Sequence, residues 1–191
     1  MRKLIAGMQS SLDGKVGGPD GYADWVDAWS DHYDVMPRVD ACLLGTHMYP
    51  GYEAYWTAIH AAPDQLLPMT NKLPTPAEVE YARFTARTPH YVLSNTLTSS
   101  AWPQTKFIKS VAEVHALKEQ SGKGIYLVGG AQIVASLLDA GLVDELVLDV
   151  YPLLVGPGLT LFEKTERRRE LELRGVRQLP NGRVSLTYAV G

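Results

Sequence analysis

The sequence has little of three things that would each indicate a particular class of protein. Cys42 is the single cysteine among 191 residues, so an intrachain disulfide is excluded and a reducing compartment is expected. Positive charge is not in excess, because 18 Lys and Arg stand against 21 Asp and Glu, for a net charge of −3. No apolar run approaches the roughly 20 residues that cross a bilayer. We therefore expect a cytoplasmic protein whose partners are neither nucleic acid nor membrane.

The sequence also lacks the His/Cys/Cys pattern of a zinc deaminase, and we expect no metal site. Hydrophobic residues make up 46% of the chain and charged residues 20%, which is ordinary globular composition. This length and composition predict one domain over residues 1–191.

Short apolar runs alternate with helical patterns along most of the chain. Strands are predicted at residues 4–8, 41–44, 91–93, 106–108, 125–128 and 145–150. Helices are predicted at residues 23–36, at 111–117 after the N-cap Ser110, and at 131–140, with one or two more between 49 and 87. The alternating runs 171–178 and 183–190 flank Pro180-Asn181-Gly182, which predicts an antiparallel hairpin. The pattern indicates an α/β fold: a mostly parallel central sheet with helices on both faces and a C-terminal antiparallel hairpin.

The adjacent glycines Gly129 and Gly130 fall between a predicted strand and a predicted helix. One interpretation is a tight turn without a ligand. The other is a phosphate site, because a helix N-terminus offers unpaired N–H groups and glycine lets an anion approach the backbone. The spacing is not GxGxxG, so the standard dinucleotide fingerprint is absent.

Two further polar loops directly follow predicted strands, Gly45-Thr46-His47 and Ser94-Asn95-Thr96. If these strands and the strand before Gly129 are neighbours, all three loops present amides and hydroxyls at one sheet edge. That edge would form a groove for a dinucleotide.

Several segments, in their order and spacing, resemble one known family over nearly the whole chain. They are SLDGK at 11–15, Leu44-Gly45, VLS at 92–94, VGGA at 128–131, GLVDEL at 141–146 and PLLVGPG at 152–158. The chain is similar to the dihydrofolate reductase-like family. Within it, the chain looks closest to the stand-alone relatives of the C-terminal reductase domain of the riboflavin-biosynthesis bifunctional deaminase/reductase.

The resemblance implies a homodimeric reductase that uses NADPH to reduce a small pterin, aminopyrimidine or related heterocycle. The pyrophosphate would bind at Gly129, Gly130, Ala131 and Gln132, flanked by Val128 and Ile133. The adenosine-side phosphate would bind at Gly45, Thr46, His47 and Met48, the adenine ribose and its 2′-phosphate at Ser94, Asn95 and Thr96, and the nicotinamide at Val16 and Gly17.

Two positions depart from the family pattern, because Thr46 and Asn95 stand where relatives often have basic residues. A 2′-phosphate is best held by a guanidinium group, so NADH is not excluded as the cofactor. His47 or Lys109 could supply the missing charge, or could be plain surface residues.

The sequence leaves the identity of the proton donor open. A carboxylate on the first helix is the family solution, and Asp27 is our candidate, because Trp25 and Trp29 beside it could wall an aromatic pocket. Asp13 is a second candidate, while Lys15 could meet a substrate phosphate; the alternative is a simple turn with an exposed lysine.

Tyr49 and Tyr52 belong to an aromatic cluster that lines the substrate side, forms ordinary core or makes a subunit contact. The competing function is a non-catalytic nucleotide-binding or sensor protein that retains the fold.

Overall fold

The computed structural model describes residues 1–26, 33–67 and 70–191. Its strands are β1 (Leu4–Ser11), β2 (Lys15–Gly17), β3 (Val39–Gly45), β4 (His90–Leu93), β5 (Thr105–Ile108), β6 (Gly124–Gly129), β7 (Glu145–Tyr151), β8 (Leu159–Thr160), β9 (Leu171–Gln178) and β10 (Val184–Val190). Its helices are α1 (Tyr49–Ala61), α2 (Pro76–Arg87), α3 (Val111–Glu119) and α4 (Ala131–Asp139).

One eight-stranded sheet runs through the molecule in the order β5-β4-β3-β6-β1-β7-β10-β9. The strands from β5 to β7 pair in parallel, and β10 pairs antiparallel with both β7 and β9. The turn between β9 and β10 contains Asn181 and Gly182, both at positive φ. The predicted mostly parallel sheet and its C-terminal hairpin are therefore confirmed.

The helices cover both faces of this sheet, as expected. Side chains alternate along a strand, so Leu4, Ala6 and Met8 of β1 pack with α3 and α4, while Ile5 packs with α1 and α2. Two apolar layers result, one on each side of the central strands.

The four helices differ in how their first turns are capped. Thr75 caps α2 and Ser110 caps α3, each by accepting a hydrogen bond from a backbone N–H three residues on. Neither α1 nor α4 has a side-chain cap. The predicted Ser110 cap is confirmed.

The prediction of a helix over residues 23–36 is wrong for the residues of that range that the structure describes. Asp24 and Trp25 lie in a turn, and a short 3-10 helix begins only at Met36. Asp27 and Trp29 lie outside the described residues. The sequence pattern also missed β2 and β8, which pair with each other as a small separate sheet.

None of the helices in the described ranges combines the length and the hydrophobicity that a membrane span needs.

Candidate functional site

The three polar loops predicted to form a groove do lie side by side. Gly45 of β3 is in register with Leu93 of β4, and Leu44 is in register with Gly129 of β6. These parallel strands all end at the same edge, which is where open α/β sheets bind ligands.

Position 129 requires glycine because of its backbone conformation and because of the side chains that pack against it. Its φ of +126° is one that side chains rarely adopt, and a Cβ there would lie 2.9 Å from Met8 Sδ. A Cβ would also lie 3.6 Å from Met48 Sδ. Two methionine sulfurs thus pack against this peptide, and position 129 has no room for a side chain.

Gly130 is glycine for a different reason. A Cβ at this position would meet no atom within 4 Å, so the space in front of it is open. Gly130 is the N-cap of α4, and the helix has no side-chain cap. The Gly130 N–H donates to Met48 Sδ at 3.3 Å.

Met48 is itself the N-cap of α1, whose first turn has no side-chain cap either. Two uncapped helix N-termini therefore meet above the neighbouring strands β3 and β6. Each brings N–H groups without intrahelical acceptors and a partial positive charge. This corner of the groove is suited to an anion.

Lys109, which directly follows β5, brings a cation to the loop after β4 at the same edge. Ser94 uses its hydroxyl within the loop, accepting from the N–H groups of Thr96 at 3.2 Å and Leu97 at 2.9 Å. Lys109 Nζ donates to the Ser94 carbonyl at 2.9 Å, which fixes its ammonium beside the exposed Asn95.

The remaining residues predicted for the cofactor lie along the same edge. Thr46 donates its hydroxyl to the Leu93 carbonyl at 3.2 Å, and His47 is exposed. Gln132 is exposed in the first turn of α4, whereas Ile133 faces the core below Gly45. Their contacts with a cofactor stay predictions.

Asp13 joins two loops by hydrogen bonds, and this arrangement is here called the clasp. Its carboxylate accepts from the Ser11 hydroxyl at 2.5 Å and from the N–H groups of Val155 and Gly156 at 3.1 and 2.8 Å. The Ser11 hydrogen bond, followed by those from Gly156 and Val155, lowers the pKa of Asp13 to about 2. These hydrogen bonds give Asp13 a structural role in joining the two loops, and its role as a proton donor stays a prediction.

The clasp extends into β2 and β8. Lys15 Nζ donates to Thr160 Oγ1 at 2.8 Å, and a Cβ on Gly17 would lie 2.7 Å from the Gly21 carbonyl oxygen. Val16 packs against the α3 and α4 layer. The predicted substrate contact of Lys15 and nicotinamide contacts of Val16 and Gly17 stay predictions.

Tyr49 and Tyr52 are core residues. Tyr49 is 1% exposed, and its hydroxyl bonds with Glu53, Ser100 and Thr105. Tyr52 packs its ring edgewise on Trp56 and Trp102. The structure favours the interpretation of the aromatic cluster as core, and the substrate-binding role of these tyrosines stays a prediction.

Trp25 lines an open cleft of about 560 Å³ between the loop after β2 and the loop after β7. Pro19 and Tyr22 stand on one side of the cleft, with Leu153 and Val155 on the other. The indole Nε1 of Trp25 is buried without a hydrogen-bond partner among the described residues. The predicted substrate-binding role of Trp25 is thus consistent with its position.

The sequence did not predict a group of polar side chains buried on β1, on β7 and at the start of β10, here called the polar floor. It consists of Gln9, Asp149, Tyr151, Arg183 and Ser185. The one sequence signal was Asp149, a charged residue inside the apolar run ELVLDVY. Within the described residues, no group of three or more His, Cys, Asp or Glu is placed to hold a metal ion.

The family described as the RibD C-terminal domain matches residues 2–185. The chain belongs to this family. The resemblance seen in the sequence is therefore confirmed.

Two curated relatives from Bacillus subtilis (strain 168) are similar over most of their length. The uncharacterized protein YyaP is 29% identical over 191 residues, covering 98% of this chain and 94% of the relative. The uncharacterized protein YwjB is 26% identical over 184 residues, covering 93% and 92%.

Solved structures show the same fold at low identity. A putative riboflavin biosynthesis protein from Shewanella sp. PV-4 has a TM-score of 0.72 and 20% identity, with 99% of each chain covered. Dihydrofolate reductase from Enterococcus faecalis, complexed with NADP(H), has a TM-score of 0.60 and 16% identity, covering 99% of this chain and 96% of that one. The dihydrofolate reductase-like fold is therefore shown.

Proposed function

We propose that this chain is an NAD(P)H-dependent reductase that transfers hydride to a small pterin, aminopyrimidine or related heterocycle. The observation that carries the proposal is the pair of uncapped helix N-termini at Met48 and Gly130. The helices α2 and α3 have side-chain caps, so among the α-helices of the described residues only the two that begin at the groove lack one.

A cofactor's pyrophosphate fits this corner physically. The open space in front of Gly130 leaves room for phosphate oxygens, and the first N–H groups of α4 would donate to them. Gly129 serves differently, because its tight packing on Met8 fixes the direction in which α4 starts. The reduced nicotinamide supplies the hydride, while the protein binds, orients and shields it.

Lys109 is our candidate for the group that would recognise a 2′-phosphate. Its ammonium is tied to the loop after β4, which we expect to flank the adenine ribose. An ammonium acts as a point charge rather than as a bidentate fork. We therefore propose NADPH as the preferred cofactor, with a preference over NADH that depends on one residue.

Substitution of Gly130 separates charge from shape. Gly130→Asn and Gly130→Asp place side chains of nearly equal size in the open space, and both are good N-cap residues. The aspartate adds a negative charge where the pyrophosphate would bind. We expect NADPH affinity to fall about tenfold in Gly130→Asn and at least a further tenfold in Gly130→Asp, measured by nicotinamide fluorescence.

Gly175→Asn on the edge strand β9 is the control, because a Cβ there makes only ordinary contacts with Thr187. It should bind NADPH like the unaltered chain. Equal affinities for Gly130→Asn and Gly130→Asp would show that no phosphate binds at this corner. If NADPH binds but no pterin or aminopyrimidine is reduced, the alternative of a non-catalytic nucleotide-binding protein replaces the reductase.

A further inference from the structure

The outer strand of the C-terminal hairpin leaves one edge of the sheet open. β9 is the last strand in the sheet order, and β10 is its one neighbour among the residues that the structure describes. Every residue of β9 except Gly175 is exposed. The N–H and C=O groups on the far side of such a strand are a template for pairing with another strand. This edge can therefore accept a further chain.

β9 also exposes large apolar side chains, here called the apolar row. The row consists of Leu171, Leu173 and Val176, which are 38%, 53% and 62% exposed. They share one face of the sheet, because they are in register with Val190, Tyr188 and Leu186 of β10. The same face is covered by α3 and α4 over the central strands but is open to solvent on β9.

A β-bulge keeps the apolar row on one face. Leu173 and Val176 are three positions apart, so a regular strand would point them to opposite faces. The register between β9 and β10 shifts between Thr187 and Tyr188, where β9 contains Arg174 as one extra residue. The irregularity therefore extends the apolar row along the whole strand.

The other face of β9 carries charges of both signs in a self-complementary order. Glu172 precedes the bulge and Arg177 follows it, and both lie opposite the apolar row. Within the chain, Glu172 pairs with Arg174 at 2.6 Å and Arg177 pairs with Asp34. With the acid in the first half of the strand and the base in the second, two antiparallel copies of β9 bring unlike charges together.

We propose that β9 is the interface of a homodimer, in which two copies of this strand pair antiparallel about a two-fold axis. The axis passes beside the peptide that joins Arg174 to Gly175. Leu173 then stands opposite the partner subunit's Val176, and Glu172 stands opposite the partner subunit's Arg177. The axis repeats each contact, so one strand supplies two apolar pairs and two ion pairs. This inference goes beyond the proposed function and does not depend on it.

The sequence of β9 selects this register over its neighbours. A shift of the pairing by one residue would place Arg174 opposite its own copy, or would place Leu173 opposite Arg177 of the partner subunit, and both arrangements are unfavourable. The other edge of the sheet is less suited to pairing, because β5 has only four residues and exposes Lys106. A second copy of the chain is therefore the occupant that fits β9.

Charge reversal tests this register directly. We expect the unaltered chain to sediment as a dimer at micromolar concentration. Glu172→Arg and Arg177→Glu each place like charges opposite one another at two points, so each variant alone should raise the dimer dissociation constant by at least about tenfold. An equimolar mixture of the two variants restores unlike pairs across the axis, and it should dimerise about as tightly as the unaltered chain.

Hydrogen exchange locates the contact independently of the variants. Amide exchange in residues 171–178 should slow as the protein concentration rises, while exchange in β5 should not change. Lys106→Glu reverses a charge on the opposite edge strand, and it is the matched control that should leave the dimer intact.

The cofactor titration separates this inference from the proposed function. Three strands, β1, β7 and β10, stand between β9 and β6, so both charge variants should bind NADPH like the unaltered chain, and their melting curves show whether they are folded. A monomeric unaltered chain overturns the inference, even if β9 pairs with a different protein. A dimer that resists both charge reversals, a mixture that stays monomeric, or exchange protection outside residues 171–178 alone also overturns it. None of these outcomes affects the cofactor site.

Discussion

His90 shows how strongly burial can act on one residue. The residue is fully buried on β4, and its ring lies 4.7 Å from that of Trp102 and 5.6 Å from that of Tyr52. Burial lowers the pKa of His90 from 6.5 to about 4. The folded protein therefore holds this histidine neutral at pH values where an unfolded chain would bind a proton.

Stability should consequently fall in acid. A lowered histidine pKa gives full stability above pH 6.5 and loses it as pH falls toward 4, because only the unfolded chain takes up the proton there. The loss amounts to about 3 kcal/mol. Urea unfolding of the unaltered chain and of His90→Phe at pH 7 and pH 4.5 measures it, and the variant should show the smaller drop.

His60→Gln, at an exposed position near the end of α1, is the control and should behave like the unaltered chain. Identical drops for His90→Phe and the unaltered chain would mean that His90 does not titrate differently on folding.

At the scale of single residues, the sequence indicated which positions are unusual more reliably than it indicated why they are unusual. The glycine pair was located correctly, but only Gly130 faces open space, while Gly129 is required by positive φ and by Met8. That difference depends on side chains from β1 and from the α1 N-terminus, which no local pattern contains. Asp13 was predicted as a proton donor, and its structural link to the N–H groups of Val155 and Gly156 was missed because these partners are more than 140 positions away in the chain.

The loops joined by Asp13 behave as one element with β2 and β8. Asp13→Asn would replace an ionised acceptor of three hydrogen bonds by a neutral amide. We expect faster amide hydrogen exchange in residues 12–18 and 153–160, with little change in α3. Since the pKa of Asp13 is lowered from 3.8 to about 2, acid should loosen the clasp of the unaltered chain only below about pH 4.

Asp64→Asn, at an exposed loop position, is the matched control for this exchange experiment. Unchanged exchange in both loops of Asp13→Asn would show that the clasp does not hold them together.

Elements with a strong local signal were predicted well. Ser110 and Glu113 predict the start of α3, and the Pro180-Asn181-Gly182 turn predicts the hairpin. The sequence pattern failed where tertiary contacts determine the local structure. Trp25 was assigned to a helical stripe, yet it lies in a turn and lines a cleft, and the short strands β2 and β8 exist only because they pair with each other.

Cofactor binding should stabilise the whole molecule. A ligand at one hundred times its dissociation constant adds about 2.7 kcal/mol, which for a chain of this size raises the melting temperature by about 5–10 °C. We expect NADPH to do so and NADH, at equal concentration, to do so less. Lys109→Ala should remove the difference between the two cofactors in a thermal-shift assay.

Lys106→Ala, on the neighbouring edge strand β5, removes an equivalent charge and should preserve the difference. If NADPH and NADH already shift the unaltered chain equally, Lys109 has no role in choosing between them.

At the scale of the molecule, the architecture was predictable from the alternation of short strands and helices, because each run needs a partner for its apolar face. The polar floor was not predictable in the same way. Gln9, Asp149 and Ser185 are far apart in the chain, and only strand order brings them side by side.

The central position of β1 has a consequence for how the protein is made. All eight residues of β1 are buried, and its two neighbours in the sheet are β6 and β7. Leu4, for example, donates its N–H to Asp144, 140 positions further along the chain. On the ribosome this apolar segment emerges well before β6 and β7 and must wait until both of these strands have been synthesised. Such distant pairing slows folding, so the nascent chain should depend on chaperones for longer than a protein whose first strand pairs with its second.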